Sequence, residues 1–404
     1  MSKVIVIGAG PAGMMAAMTA AKENEVILLD GNERIGKKLF ITGKGRCNVT
    51  NAKDISEFFD FIPGNPHFLY SALYTYTNED TMNFFKGEGI KLKVERGGRV
   101  FPESDKSSDI IKGLSSGLQK ANVKVLLNNK VTDIVMKDNI IKSVIVNGNK
   151  EIKGDYFIIA TGGASYPLTG SRGEGQEFAK KLGHNIIELK PSLVPIEIKE
   201  EWPRELSGLT LKNVGVTIKE NKKSVYKNQG EMKFTNFGVT GPLILSGSRF
   251  VKKNNTYKLI IDLKPAMDIS ELDKRIQKDF QKYINKSFKN SLDDLLPKKL
   301  IPIILSLSKI DEDKKVHDIT REERKSLVTL LKELTLEIKG LRSLSEAIVT
   351  AGGVDTKEID PSTMKSKIIN NLSFAGEVID VDAFTGGYNV QVALATGFLA
   401  GSNI

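Results

Sequence analysis

The sequence predicts an α/β fold in which both ends of the chain form one domain, interrupted by a β-rich insert that carries a small helical subdomain. Three observations support this prediction. A buried strand, a glycine-rich turn, a helix and a second strand occupy the first 30 residues. The middle of the chain changes to short strands and then to amphipathic helix. An alanine- and glycine-rich α/β pattern returns over residues 346–404.

The N-terminal elements follow from their apolar patterns. Residues 3–8 read as a buried parallel strand because they are few, mostly β-branched and end in glycine. Residues 12–21 are rich in alanine and methionine, as in a helix, and residues 25–30 repeat the buried-strand pattern. Later elements of this domain are a helix over 105–120, a strand over 123–127, short alternating strands separated by turns between 130 and 158, and a buried strand over 155–160.

The insert begins after Pro191, where the pattern changes. Residues 192–262 are strand-like, whereas residues 268–340 are charged and apolar at every third or fourth position, which is typical of helices. The predicted domains are a discontinuous domain over 1–190 and 343–404, a β-rich insert over 191–262 and about 330–342, and a helical subdomain over 263–330.

Composition excludes several classes of protein. Of the 404 residues, 40% are hydrophobic and 27% charged, the balance of a globular chain with an ample core. The single cysteine, Cys47, cannot form an internal disulfide and no leader opens the chain, so we expect a reducing cytoplasm. No apolar run is long enough for a membrane helix. Since His67, His184 and His317 are scattered, no metal site is expected.

The excess of positive charge is concentrated in the insert. The net charge is +10, and residues 190–342 contain 31 Lys and Arg against 21 Asp and Glu, while the rest of the chain holds 28 of each. A localised basic surplus favours a polyanionic partner, because each phosphate contact releases condensed counterions. The alternative is a general preference for lysine on the surface.

The first glycine turn predicts a dinucleotide site. Gly8, Gly10 and Gly13 fit the pattern G-x-G-x-x-G directly after a strand and at the start of a helix. In this pattern the first glycine allows a tight turn, the second lets the backbone approach a pyrophosphate and the third lets helix and strand pack closely. Asp30 closes the second strand, where its carboxylate can accept from ribose hydroxyls. Both NAD and FAD use this fingerprint.

Features further along the chain favour FAD. Thr161 and Gly162 follow a buried strand, as in the second glycine turn of flavoproteins with two dinucleotide domains. Gly376 and Glu377 form a late glycine–acid pair, and residues 386–389 open a final helix whose N-terminus suits the negative charge of a reduced flavin. No second intact glycine fingerprint occurs, so we expect NAD(P)H to dock only transiently.

These segments resemble the YhiN/BaiN-type flavoproteins over essentially the whole chain. The resemblance rests on residues 36–51, 98–102, 162–167, 350–354, 363–367 and 386–389. One departure is Asn236, which stands where the family pattern has histidine, so that any proton transfer by that histidine is in doubt here.

The resemblance implies a Rossmann-like FAD domain built from both chain ends and a flavin-dependent redox activity. Members have been linked to uridine reduction in large-subunit ribosomal RNA, to bile-acid reduction and to oxidation of small amino ketones. The residues expected at the cofactor are Gly8, Gly10, Ala12, Gly13, Asp30, Lys38, Gly43, Arg46, Cys47, Asn48, Val131, Thr161, Gly162, Gly376, Glu377, Gly386, Gly387, Tyr388 and Asn389.

Cys47 is the predicted catalytic residue. It follows Arg46 in a glycine-rich basic loop, and an adjacent cation lowers the pKa of a thiol. Reduction of an activated C=C bond by a flavin needs a hydride on one carbon and a proton on the other, and a thiol could deliver that proton. The alternative is that Cys47 only fills space beneath the flavin.

The sequence therefore predicts an FAD-dependent oxidoreductase, with a uridine of ribosomal RNA as favoured substrate and the basic insert as the surface that captures it. A first alternative is an oxidase or reductase of a small amine, ketone or steroid, with incidental charge on the insert. A second is an RNA-binding factor in which FAD is structural. Trp202 and Tyr226 of the insert are expected to fill its core rather than to stack on bases.

Overall fold

The computed structural model describes residues 1–404, which fold as two compact units. Unit 1 comprises Met1–Ser192 and Leu344–Ile404, and unit 2 comprises Leu193–Ser343. No helix of the chain is both long and apolar enough to cross a membrane.

The N-terminal part of unit 1 contains eleven strands and six helices. The strands are β1 (Lys3–Ile7), β2 (Glu25–Leu29), β3 (Thr50–Asn51), β4 (Leu92–Glu95), β5 (Arg99–Pro102), β6 (Lys124–Leu126), β7 (Val131–Lys137), β8 (Ile140–Val146), β9 (Lys150–Lys153), β10 (Tyr156–Ile159) and β11 (Ile186–Ser192). The helices are α1 (Pro11–Ala20), α2 (Lys37–Gly45), α3 (Tyr70–Thr75), α4 (Asn78–Gly87), α5 (Ser107–Lys120) and α6 (Glu174–Lys181).

Unit 2 and the C-terminal part of unit 1 complete the chain. Unit 2 contains β12 (Ile196–Ile198), β13 (Thr210–Glu220), β14 (Lys223–Phe234), β15 (Gly238–Thr240), α7 (Pro242–Ser248), β16 (Tyr257–Asp262), α8 (Ile269–Lys282), α9 (Ile301–Ser308), α10 (Arg321–Lys332) and β17 (Leu334–Leu341). The C-terminal part of unit 1 contains β18 (Val349–Val354), β19 (Leu372–Phe374) and α11 (Tyr388–Ser402).

The core of unit 1 is a parallel five-stranded sheet in the order β19-β10-β1-β2-β6. Its strands are short and buried on both faces, which explains why their sequences are continuous apolar runs rather than alternating ones. The sheet joins strands from both ends of the chain, and smaller antiparallel sheets, β3-β5-β4, β7-β8-β9 and β11-β18, surround it.

Helices α1 and α11 pack together at glycines. A Cβ on Gly397 would lie 2.2 Å from the carbonyl oxygen of Ala12, and one on Gly401 would lie 2.4 Å from that of Ala16. Both obstacles are backbone atoms and cannot rotate away. Glycine at these two positions therefore sets the distance between the helix that follows the first glycine turn and the last helix of the chain.

Unit 2 is built on a closed six-stranded barrel in the order β12-β15-β14-β13-β16-β17. Closure removes the exposed strand edges that an open sheet would leave. Alternating residues such as Val214, Val216 and Ile218 fill the interior, and Tyr226 is buried among them as predicted. Side chains of the barrel and of helices α8 to α10 belong to one hydrophobic cluster, and a separate helical subdomain stays a prediction.

Two local departures from the sequence pattern have simple causes. Pro242 begins α7 within the run that reads as strand, because proline suits the first helical turn. Residues 334–341 form strand β17 at the end of the run 268–340 that reads as helix, within the part (about 330–342) that the domain prediction assigned to the β-rich insert. Leu334, Leu336 and Ile338 alternate inward at a period of two.

The α1–α11 contact makes a stability prediction. We expect Gly397→Ala to lower the free energy of unfolding by about 1–3 kcal/mol, because the added methyl group must push two backbones apart. Gly87→Ala, in a helical position with no atom within 4 Å of the added Cβ, is the matched control and should be neutral or stabilising. Urea unfolding of both variants, each with the same cofactor content, measures the difference; equal stabilities would contradict the packing argument.

Candidate functional site

Two of the three glycines of the first glycine turn are closely packed, and the third faces open space. A Cβ on Gly8 would lie 2.5 Å from the carbonyl oxygen of Ala160, and one on Gly13 would lie 1.8 Å from that of Gly8. Gly10 differs, because nothing lies within 4 Å of the position of its Cβ. The protein itself therefore requires glycine at two positions, while the third faces open space at the N-terminus of α1, where a pyrophosphate would approach.

Asp30 lies at the end of β2 beside this turn. Its Oδ2 accepts a hydrogen bond from the backbone N–H of Ala9 at 2.7 Å, and its Oδ1 accepts two from Asn32. Because each carboxylate oxygen can accept two hydrogen bonds, Oδ2 keeps one acceptor position. The backbone N–H of Asn129 bonds the carbonyl of Asp30 at 2.9 Å, which brings the turn before Val131 to the same end of the sheet. A ribose contact from Asp30 stays a prediction.

Two residues that are predicted at the cofactor each have a buried polar atom without a partner in the protein. These atoms are Oδ1 of Asn48 and Oγ1 of Thr161. Thr161 follows β10 directly, and Asn48 follows α2, whose C-terminal turn is distorted by left-handed backbone at Gly43 and Lys44. A buried polar atom without a partner costs about 1–3 kcal/mol, so these atoms are suited to a ligand that bonds them. Together with the open space at Gly10 they fit a dinucleotide such as FAD.

Cys47 differs from the prediction in its electrostatics. Its side chain is fully buried, and this burial raises the pKa of the thiol to about 12. The Arg46 guanidinium does not lower it, because Nε donates to Asp105 at 2.7 Å and another nitrogen pairs with Glu95. The expected cation-lowered pKa is therefore wrong in this structure. Asp105 and Glu95 therefore neutralise the Arg46 guanidinium, which lies over the ring of Phe101.

Lys38 and Glu377 form an ion pair that joins the two ends of the chain within unit 1. The Lys38 ammonium donates to Glu377 and to the hydroxyl of Ser165, both at 2.7 Å. Glu377 also accepts from the backbone N–H of Thr350 at 2.7 Å. Both predicted residues thus lie together, and Ser165 and Thr350 are partners that sequence reasoning missed. The only signal for these two was their place inside segments that carry the family resemblance.

The N-terminus of α11 is held from inside by Gln391. The side chain of this buried residue accepts from the hydroxyls of Thr50 and Thr81 at 2.8 and 2.7 Å and donates to the carbonyl of Tyr76 at 3.0 Å. A Cβ on Gly387 would lie 2.3 Å from the carbonyl of Thr50, so β3 touches the start of the helix. Gln391 was not among the predicted site residues, since nothing in its sequence context distinguishes it from a surface residue.

Tyr388 and Asn389 have side chains that are already occupied by the protein. The Tyr388 ring stacks on Phe61 at 4.5 Å and is buried. The Asn389 amide exchanges hydrogen bonds with the backbone of Ala383 at 2.9 and 2.6 Å. The predicted contact of these two residues with the cofactor stays a prediction. With both side chains occupied, residues 386–389 have the backbone N–H groups of a helix start to offer a ligand.

The remaining predicted contacts lie at close backbone approaches. Ala12 is buried between Gly376 and Gly397, and a Cβ on Gly376 would lie 2.8 Å from that of Ala12. Gly162 adopts a left-handed φ of 77°, and its carbonyl accepts from the Gln176 side chain at 3.1 Å. The structure therefore gathers most of the predicted residues around the carboxyl ends of the parallel strands, where open α/β sheets bind ligands.

The open position at Gly10 makes a binding prediction. We expect Gly10→Val to abolish FAD binding while leaving the apoprotein folded, because no protein atom lies within 4 Å of the added Cβ and the side chain would occupy the space that the pyrophosphate approaches. Gly13→Val is the matched comparison and should disturb the fold itself. The ratio of flavin absorbance to protein and the circular dichroism of each variant separate the two effects. Full FAD content in Gly10→Val would place the pyrophosphate elsewhere.

Sequence comparison finds relatives along the whole chain. Residues 2–403 match the model of the HI0933-like protein Rossmann domain. The chain is 31% identical over 410 residues to the 3-dehydro-bile acid delta(4,6)-reductase of Clostridium scindens, covering 99% of this chain and 98% of that one. It is 32% identical over 408 residues to the ribosomal RNA dihydrouridine synthase of Haemophilus influenzae, covering 100% and 98%.

Structure comparison agrees on the fold. The open conformation of a flavocytochrome c3 fumarate reductase superposes with a TM-score of 0.52 at 17% identity, covering 100% of this chain and 78% of that one. The predictions of a Rossmann-type fold, of FAD as cofactor and of oxidoreductase activity are confirmed by the family match and the relatives. The chain belongs to the HI0933-like Rossmann-domain family of FAD-dependent oxidoreductases.

Proposed function

We propose that this protein reduces a uridine of large-subunit ribosomal RNA to dihydrouridine. The reaction adds a hydride and a proton across the C5=C6 bond of the uracil ring, and NAD(P)H is the proposed source of the two electrons. FAD, when bound, supplies hydride chemistry. We propose that the backbone around Gly10 holds the pyrophosphate of FAD. Asn48, Thr161 and the start of α11 hold the rest of the cofactor. The cytoplasmic location inferred from the cysteine content belongs to the same proposal.

Sequence identity does not separate the two named activities, since it is 31% to the bile-acid reductase and 32% to the ribosomal RNA enzyme. Both names describe saturation of a C=C bond, so the same cofactor chemistry serves either. The observation that supports RNA is the charge of the insert: residues 190–342 carry ten more basic than acidic residues, as 31 against 21, and the rest of the chain is balanced. A bile acid carries a single carboxylate, whereas an RNA backbone offers a phosphate at every nucleotide for such a surplus of cations.

Several basic residues of the insert have no acidic partner. On the β13–β14 hairpin five lysines are exposed and make no ion pair within 4 Å; they are Lys212, Lys222, Lys223, Lys227 and Lys233. Exposed cations without partners contribute little to folding stability, because even paired surface charges contribute only about 0–1 kcal/mol. They are instead available to phosphates.

A strain that lacks the gene tests the substrate. We expect one dihydrouridine to be missing from its large-subunit ribosomal RNA, and the gene supplied in trans to restore it, because no other chain then reduces that uridine. Nucleoside mass spectrometry of purified ribosomal RNA measures the change. A Gly10→Val gene serves as control, since it should fail to restore the modification. Unaltered dihydrouridine content would favour the small-molecule alternative, and restoration by Gly10→Val would favour an RNA-binding factor with no need of FAD.

The proton donor is tested at Cys47, whose catalytic role stays a prediction. A general acid works best when its pKa lies near the operating pH, and the buried thiol, with its pKa raised to about 12, is far from that condition. We therefore expect Cys47→Ala to keep FAD and to change the turnover of substrate by less than about tenfold. Single-turnover rates of the reduced enzyme with substrate measure this. A loss of about 10²–10⁴-fold with normal FAD content would instead show that the thiol delivers the proton.

A further inference from the structure

The outer face of the barrel carries lysines directly opposite one another. Lys219 on β13 pairs in register with Lys258 on β16. Because Val216 and Ile218 point inward, Thr217 and Lys219 point outward, and Lys227 on β14 lies opposite Thr217. Lys219, Lys227 and Lys258 therefore share the outer face of three neighbouring strands, and we name these three residues the barrel lysine patch.

This arrangement is unfavourable for folding. Side chains directly opposite in antiparallel strands have Cβ atoms about 4.5–5.5 Å apart, and like charges in that position destabilise a sheet by about 0.2–1 kcal/mol. One acid lies in the same row, since Glu337 on β17 is opposite Lys258. Lys199 donates to Glu337 at 3.0 Å. The Glu337 carboxylate is therefore shared between Lys199 and Lys258. None of the three patch lysines has an acidic oxygen within 4 Å.

Two turns extend the positive charge along the same strands. Glu220, at the end of β13, is opposite both Lys223 and Tyr257, so the β13–β14 turn and the segment before β16 lie side by side. The side-chain amide of Asn255 donates a hydrogen bond to the carboxylate of Glu220, the acidic residue at this end of the two strands. The exposed lysines that these two segments add are Lys222, Lys223, Lys252 and Lys253.

We propose that the barrel lysine patch is the site at which unit 2 binds the phosphate backbone of the RNA substrate. The inference rests on the proposed function and names the surface responsible for it. Lysine suits this task because it is a compact point charge on a flexible stem and contacts phosphate without reading a base. The patch therefore contributes affinity for RNA, while recognition of the target uridine belongs to other residues.

The test compares two variants of the complete FAD-loaded enzyme that change charge equally. The patch variant carries Lys219→Gln, Lys227→Gln and Lys258→Gln. The control variant carries Lys274→Gln, Lys278→Gln and Lys299→Gln, which remove three exposed lysines of the same unit that likewise make no ion pair. The probe is a protein-free transcript of large-subunit ribosomal RNA, and its dissociation constant is measured between 50 and 200 mM salt.

We expect the patch variant to lose affinity and its log–log salt slope to become shallower by about two to three, since each lost phosphate contact contributes about 0.7–0.9. The control variant should bind like the wild type. Flavin content and the rate of flavin reduction by NAD(P)H should be unchanged in both, because none of the six lysines is among the residues expected at the cofactor.

The outcomes separate this inference from the proposed function. If the wild type binds RNA with a steep salt dependence but the two variants weaken it equally, the patch is not the site and only the total charge matters. If the wild type does not bind the transcript, the proposed function fails together with the inference. If the patch variant keeps RNA binding but loses binding to phosphatidylserine vesicles, the surface contacts membranes and the inference is overturned.

Discussion

The architecture of unit 1 depends on how closely the backbone of α1 approaches its neighbours. At its start, Gly13 lies against the carbonyl of Gly8, and along its length Ala12 and Ala16 meet the glycines of α11. These are contacts between main chains, which no rotamer change can relieve. The close approach brings the N-terminus of α1 to the ends of β1 and β10 and holds the last helix of the chain against the first. The shape of the candidate dinucleotide site therefore depends first on these main-chain contacts and only then on particular side chains.

A second set of contacts joins segments that are far apart in sequence. The Lys38–Glu377 ion pair, with Ser165 and Thr350, connects the start of α2 to β18 and to the segment that follows β19. Gln391 similarly ties α11 to β3 and α4. Because a buried polar group such as Gln391 costs free energy when it is left unpaired, the segments that it joins stabilise one another. These contacts connect parts of the candidate cofactor site that are hundreds of residues apart in sequence.

Unit 2, in contrast to unit 1, is formed by one continuous segment of the chain. Its barrel closes on itself and encloses its own apolar core, while the outward-facing Lys227 of β14 and Lys258 of β16 are exposed. Exposed positions without an ion pair can change to suit a binding partner at little cost in folding stability. Lys227 and Lys258 are such positions, and the half-buried Lys219 lies opposite Lys258. Our proposals thus assign the redox chemistry to the interlocked unit and the contact with RNA phosphates to the surface of the barrel.

Local sequence determined the elements and the position of the dinucleotide turn. Apolar runs specified β1, β2 and β10, and the spacing of Gly8, Gly10 and Gly13 specified the turn, because these signals depend on neighbours within a few residues. The concentration of charge in the insert was likewise visible as a count. Tertiary structure alone decided which groups became partners. The pKa of Cys47 is raised by burial, Arg46 pairs with Asp105 rather than remaining a free cation, and the opposition of Lys219 and Lys258 depends on strand register. Burial and register arise from contacts between distant segments, and such contacts leave no local pattern in the sequence.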